Sequence, residues 1–335
     1  MIDWMTAILR CKHDPSKLVS GMVMSFDSQG NNEWVINKQV TVEGSYSSKI
    51  QVKSHTDSTI WISGNPTKFL QGHNIFGTDD LRYLMSKFFD SLLKHEDLGL
   101  YPTEEQYQAI QDGDYILKRV DLNQSWHLKD RETVLAWIRA AGSCARLKHR
   151  GPGQYTGDTL YFGKNSRRWA VKCYSKGHEI NAKSHKLPNE LQIPELIEWA
   201  DKALRIEIVI RSMQLKDWLL HSGKSWTPDT SKMLLCSCVI DDLEITDNMA
   251  LPDDLLTALP TRLKGIYALW LNGEDLRQSL PKNTFYRYRR TFLEHGIDIS
   301  IVHDKHRNNI VPLVRYLEAQ PADIPQWAYE KNLVA

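Results

Sequence analysis

Long apolar runs are missing from this chain. None approaches the roughly 20 residues needed to cross a bilayer, so no membrane partner is expected. The opening Met1-Ile2-Asp3-Trp4 has neither the basic nor the apolar region of a signal peptide. The expected location is therefore the cytoplasm. Cysteine is scarce, five residues scattered at positions 11, 144, 173, 236 and 238. An odd, dispersed set argues against a disulfide framework. Cys236-Ser237-Cys238 has no second ligand pair at zinc-site spacing, and it reads as two small apolar residues. Internal repeats and heptads are also absent, which excludes solenoids and coiled coils.

Net charge is nearly absent too: 42 Lys and Arg face 41 Asp and Glu. Its distribution is uneven. From Arg119 to Lys186 there are 14 basic residues and 5 acidic ones; from Arg262 to Arg315 there are 10 and 5. Two basic segments on a near-neutral chain suggest two surfaces that meet phosphate, or else two solvated faces.

The 335 residues predict two domains. Positions 1–222 read as an α+β sheet domain and 223–335 as a mainly helical one, with the boundary between Ser222 and Pro260. Strands are predicted at 35–42, 47–52, 59–63, 115–126, 159–162, 168–174 and 204–211. Helices are predicted at 78–94, 130–147 and 194–202, and the glycine-rich stretch 149–157 reads as a loop. In the second part, helices at 263–271, 277–280 and 282–294 have the rhythm of a helix-turn-helix.

Three constellations point to chemistry. In Lys118-Arg119-Val120-Asp121-Leu122-Asn123, alternation puts Arg119, Asp121 and Asn123 on one sheet face. Arg205-Ile206-Glu207-Ile208 repeats that design. Side by side, Asp121 and Glu207 could hold a hard divalent cation through oxygens. The alternative is a pair of salt bridges, Asp121 with Arg205 and Glu207 with Arg119. Tyr174 ends a strand two residues before Lys176. A phenol has a pKa of about 10 and attacks phosphate only with electrostatic help; most strand-end tyrosines merely pack. Finally, the 282–294 helix buries Phe285, Tyr288, Phe292 and Leu293. It leaves Lys282, Thr284, Arg287, Arg290 and Arg289 or Tyr286 to meet DNA, or to form a basic surface.

Several stretches together resemble the gene II replication initiators of filamentous bacteriophages, the gene II/X family. Lys68-Phe69-Leu70-Gln71-Gly72-His73-Asn74-Ile75-Phe76-Gly77 is similar to that family's most recognisable segment. Asn309 to Tyr316 resembles its C-terminal signature, Leu280 to Tyr288 is similar to the helix just before it, and Arg119-Val120-Asp121, Tyr174-Ser175-Lys176 and Arg205-Ile206-Glu207 fall in the corresponding order. The resemblance implies an antiparallel-sheet nicking domain of the rolling-circle type. It implies an endonuclease that nicks and rejoins DNA through a 5′-phosphotyrosine link. Tyr174 would be the nucleophile, with Lys176, His73 and Asn74 near the phosphate or metal; the alternative for His73 is a hydrogen bond that fixes its loop. Asp121 and Glu207 would bind Mg2+ or Mn2+, because the His-apolar-His metal motif of many such nucleases is lacking. Arg119 and Arg205 would join the DNA-contacting residues. Expected partners are single- and double-stranded phage or plasmid origin DNA, a host helicase and polymerase, and further copies of the protein at the origin. The host would be a bacterium. Met249 is a candidate start for a shorter product. The alternatives are a non-catalytic DNA-binding regulator, or a phosphodiesterase that uses water.

Overall fold

The computed structural model describes residues 1–182, 185–245, 259–294, 297–300 and 321–334. The expectations about Asn309 to Tyr316 and Met249 lie outside the described residues. A nine-stranded sheet organises the first part. Edge to edge its strands are Gln154–Thr156, Thr159–Phe162, Trp169–Ser175, Ala203–Arg211, Ile116–His127, Ile2–Arg10, Thr59–Gly64, Lys49–Thr56 and Val40–Glu43. Every neighbouring pair is antiparallel. The fold class is α+β, a large antiparallel sheet followed by a helical C-terminal region.

Alternation divides the sheet into two faces. Met5, Val120, Leu122, Ile206, Ile208 and Ile210 point to one side and are buried. The Leu81–Leu93 and Arg131–Cys144 helices supply Phe88, Phe89, Leu92, Val134, Trp137 and Ile138 to the same core. Each such side chain contributes about 1.5–3 kcal/mol of hydrophobic stabilisation. Asp80 and Asp130 cap these helices by accepting from the Tyr83 and Thr133 amides at 3.0 and 2.9 Å. The other face is polar: Arg119, Asp121, Asn123 and Ser125 lie opposite Arg211, Val209, Glu207 and Arg205.

Three predicted elements differ. The helix expected over 130–147 ends at Cys144, and Ala145–Leu147 is a strand paired with Gly151–Pro152 and Leu243–Ile245. The strand expected over 35–42 is split. Asn32–Lys38 pairs with Gly21–Phe26 as a separate two-stranded ribbon, while Val40–Glu43 joins the large sheet. The expected loop at 149–157 holds Gly151–Pro152 and Gln154–Thr156, two short strands with one free edge each. Proline and glycine are tolerated there because an edge strand leaves some N–H positions unpaired.

The C-terminal helices Thr261–Leu271, Leu276–Ser279 and Lys282–Glu294 enclose their own core of Leu263, Tyr267, Trp270, Leu276, Phe285 and Phe292. The tail then returns to the sheet. The Ala322 amide donates to the Ser125 carbonyl at 2.8 Å, and Trp327 meets the Phe76 ring edge-on at 5.7 Å between centroids. Among the described residues, no helix is long and apolar enough to cross a membrane.

Candidate active site

The polar face of the sheet floors a cleft of about 650 Å³. Asp3, Trp4, Arg119, Asp121, Lys172, Tyr174 and Glu207 line its base, and Tyr46, Lys49, Asn65, Lys68, Asn74, Glu179 and Lys186 its walls. Register explains the floor. Lys172 lies directly opposite Glu207, and Tyr174 opposite Arg205, so all four project from one face. Asp3 arrives differently. Pairing between Ile2–Arg10 and Ile116–His127 shifts between Ile2 and Trp4, and this irregularity brings Asp3 into the cleft beside Trp4.

The Tyr174 hydroxyl donates to Glu207 Oε2 at 3.2 Å. Glu207 Oε1 is paired with the Lys172 ammonium, which lies 4.0 Å from Asp121 Oδ2. Arg119 forks onto Asp121 through Nε at 2.7 Å and Nη2 at 2.5 Å. The same guanidinium lies over the Trp4 ring, 5.3 Å from its centroid. Salt bridges therefore do form, with other partners than the sequence suggested: Asp121 takes Arg119, and Glu207 takes Lys172. Burial pushes the Glu207 carboxyl up to about 8, with Asp3 and Asp121 adding to the effect and Lys172 opposing it. Burial likewise holds the Tyr174 phenol well above 10, helped by the charges of Glu179 and Glu207.

A second tier positions this floor. Pro66–Gln71 is a one-and-a-half-turn helix, capped by Asn65, whose side chain accepts from the Lys68 amide at 2.8 Å. Gly72 ends it in the left-handed region at φ 83°, and its amide closes on the Lys68 carbonyl at 2.8 Å. A Cβ at Gly72 would lie 2.1 Å from Cδ2 of Tyr46, so only glycine lets the chain pass. Next, Asn74 Nδ2 donates to Asp3 Oδ1 at 2.8 Å, and Asn65 Nδ2 donates to the same oxygen at 2.7 Å. The Lys176 ammonium donates to Asn74 Oδ1 at 2.7 Å and to Glu179 Oε2 at 2.5 Å.

Lys176, Arg205 and His73 are all buried. Lys176 is 0% exposed and does not line the cleft, so it supports Asn74 and Glu179 instead of facing a phosphate. Arg205 is 1% exposed. Its guanidinium donates to the carbonyls of Asn74 and Ile75, the latter at 2.6 Å, and to Ser125 Oγ at 3.1 Å. It clamps the loop to the sheet. His73 is buried, with Nδ1 accepting from the Ile75 amide at 3.2 Å. Its pKa is lowered to about 4 by burial first, then by Lys176 and Arg205, so the ring is neutral and fixes the loop.

In the Lys282–Glu294 helix, Lys282, Tyr286, Arg287 and Arg290 are exposed, and Thr284 is half-buried. Arg289 departs from the expectation. Its Nε and Nη2 fork onto buried Asp298 at 2.7 and 3.1 Å, and Arg139 of the 131–144 helix meets the same carboxylate at 2.9 Å. Asp298 is held at about 2, since the bonds from Arg289 and Ser300 outweigh its burial.

A family model for the N-terminal part of the phage replication-associated protein, the gene II product, matches residues 1–229, and one for its C-terminal part matches residues 257–334. The chain belongs to the filamentous-phage gene II family. The replication-associated protein of Enterobacteria phage I2-2 is 39% identical over 334 residues, covering 97% of this chain and 95% of that relative. Those of Enterobacteria phages M13 and f1 are each 24% identical over 331 residues, covering 81% of this chain and 77% of theirs.

In this gene II family cleft, sequence reasoning missed Lys172, Asp3 and Glu179. Lys172 was within reach, because it shares a strand face with Tyr174. Glu179 stands three positions after Lys176, the spacing of neighbours on a helix. Asp3 depends on the strand irregularity, and its one sequence signal is the likeness of the opening Met1-Ile2-Asp3 to the family. As for a metal, carboxylate oxygens are the donors that Mg2+ and Mn2+ prefer, and Asp3, Asp121 and Glu207 all line the cleft floor. Protein cations hold Asp121 and Glu207 here. Among the described residues, no group of three or more His, Cys, Asp and Glu converges to hold an ion.

Proposed function

We propose that this gene II family chain initiates rolling-circle replication, nicking one strand of its origin through Tyr174 and later rejoining the displaced strand. The observation that supports this most is the Tyr174 hydroxyl, 3.2 Å from Glu207 Oε2 in a cleft lined by Lys49, Lys68, Arg119, Lys172 and Lys186. A carboxylate within hydrogen-bond reach of a nucleophile is placed to take its proton. Five cations around them suit a substrate with a charged backbone.

In the forward step, Tyr174 Oη forms a bond to the scissile phosphorus. The bond from phosphorus to the 3′ oxygen of the preceding nucleotide breaks. The phenol proton passes to Glu207, and the 3′ oxygen leaves as a hydroxyl by taking a proton from solvent water. One phosphodiester replaces another, so the link stores the energy for rejoining. A 3′ hydroxyl attacking the phosphotyrosine reverses each transfer. Arg119 and Lys172 neutralise phosphate charge as it approaches the carboxylates. Asp121 and Glu207 are the residues that would hold Mg2+ or Mn2+, and such an ion would polarise the phosphate and offset charge on the leaving oxygen.

Duplex recognition is assigned to the 282–294 helix as the second element of a helix-turn-helix, with Lys282, Tyr286, Arg287 and Arg290 toward the major groove. The protein would act in the cytoplasm of its bacterial host, alongside a helicase and a polymerase.

The test is incubation with supercoiled plasmid carrying the cognate origin, across a Mg2+ and Mn2+ titration. Wild type should give open circles, while Asp121→Asn and Glu207→Gln should lose most nicking and keep origin binding. A wild-type protein that binds the origin and leaves every plasmid supercoiled would be a regulator instead.

A further inference from the structure

Aromatic rings line the same cleft. Trp4 is engaged by Arg119, and the Tyr161 ring lies beneath the Lys164 ammonium at 5.4 Å. Tyr46 is different. Its side chain lines the cleft and the residue is 48% exposed. Among the described residues, no hydrogen bond or ring–ring contact engages that side chain.

The backbone under Tyr46 is unusual. Tyr46 and Ser47 are consecutive non-glycine residues in the left-handed region, at φ 52° and 60°. Such strain persists only where the surroundings over-determine it, and it clusters at ligand clamps. The surroundings do so here. Ser45 Oγ donates to the Leu70 carbonyl at 2.9 Å, and Ser48 Oγ donates back to the Ser45 carbonyl at 2.8 Å. Gly44 meets the Phe69 ring so closely that a Cβ would lie 2.4 Å from it. One edge of Tyr46 packs on Gly72, two residues before Asn74. The turn is thus pinned to the helix that carries the Gly72-His73-Asn74 segment, and it presents an open ring on the cleft wall.

We infer that Tyr46 is a stacking platform for one unpaired nucleobase of the strand that enters the cleft. This rests on the proposed cleavage of single-stranded DNA at Tyr174. A tyrosine hydroxyl attacking a phosphate needs the backbone fixed in line, and a base immobilised nearby fixes it. Aromatic platforms serve any base, since each has a π face, and removing one costs about 5- to 150-fold in affinity.

The experiment measures binding of a fluorescein-labelled single-stranded oligonucleotide spanning the nick site, by anisotropy, in a Tyr174→Phe background. Tyr46→Asn removes the ring and keeps a residue that tolerates left-handed φ. Tyr46→Leu keeps bulk against Gly72 without a π face, and Tyr46→Phe keeps the ring. Both ring-less variants should lose about 5- to 150-fold in affinity, with Tyr46→Phe unchanged. The loss should vanish on one oligonucleotide of a series in which single bases are deleted to abasic sites. Equal binding by the ring-less variants would overturn the inference. So would a loss that persists undiminished at every abasic position, which marks a purely structural role. If the parent fails to bind the intact oligonucleotide, the nicking reading itself falls, and that is seen before any Tyr46 variant is measured.

Discussion

Replacing Arg205 with Met should release the Gly72–Thr78 loop without unfolding the sheet. Arg205 donates to two loop carbonyls, Asn74 and Ile75, and to Ser125 on the neighbouring strand. Hydrogen bonds from a charged donor are worth about 1.5–3 kcal/mol each, so the two loop bonds give about 3–6 kcal/mol. Relief of the guanidinium's own desolvation offsets part of that. About 2–4 kcal/mol of loop attachment should be lost. Hydrogen exchange reads it directly: amides of 72–78 should lose about 30- to 900-fold in protection, while those of the central strands change little. The His73 pKa should rise from about 4, because one of the cations that lowers it is gone. Arg205→Lys should behave like Met in exchange, since an ammonium cannot reproduce the fork. The opposite result is an Arg205→Met variant with unchanged loop protection and weaker DNA binding, its salt slope one unit lower. That would place Arg205 on phosphate.

The Glu207 carboxyl, raised to about 8, accepts the phenol proton only when ionised. A divalent ion held by Glu207 lowers that value, so nicking should rise with pH at a midpoint below 8, and Glu207→Gln should abolish that rise. The sign for stability is opposite. A carboxyl whose folded pKa exceeds its ordinary value of 4.5 favours the folded state below 4.5, and this advantage is lost as pH climbs to about 8. Denaturant titrations of wild type and Glu207→Gln should diverge across that window, and parallel curves would contradict the buried-carboxyl account. Replacing Arg287 and Arg290 with Ala should weaken duplex-origin binding by about 1–3 kcal/mol per lost base contact. Cleavage of a short single-stranded nick-site oligonucleotide should survive. A double variant with normal duplex binding that cannot cut the oligonucleotide would overturn that division. Asp298→Asn should loosen the link between Arg289 and Arg139, read as faster proteolysis between the sheet and the 282–294 helix; unchanged proteolysis would remove that link.

Strand alternation made the polar face legible. Asp121 and Glu207 project where their spacing put them, and Tyr174 follows from the same rule. Their partners were not legible, because which cation meets a carboxylate depends on strand order. Lys172 reaches Glu207 because Trp169–Ser175 neighbours Ala203–Arg211. Arg205 looked like a surface cation by residue type. It is buried because a loop from residues 72–78 folds across the end of its strand, a contact more than 120 positions away in sequence. The partners of Lys176 were hidden for a related reason, since one of its acceptors, Asn74, lies 102 positions away in sequence. The 282–294 helix was read correctly because its apolar residues recur at helical spacing. Arg289 was not, because Asp298 lies beyond the helix end.

The account rests on Tyr174 as the covalent nucleophile. After reaction with a single-stranded nick-site oligonucleotide, tryptic digestion and mass spectrometry locate the nucleotide-bearing peptide. The peptide Cys173-Tyr174-Ser175-Lys176 should carry the 5′-phosphate of the downstream strand, and Tyr174→Phe should give neither adduct nor cut. An adduct on another residue, or cleavage by wild type that leaves only free 5′-phosphate ends, would contradict it.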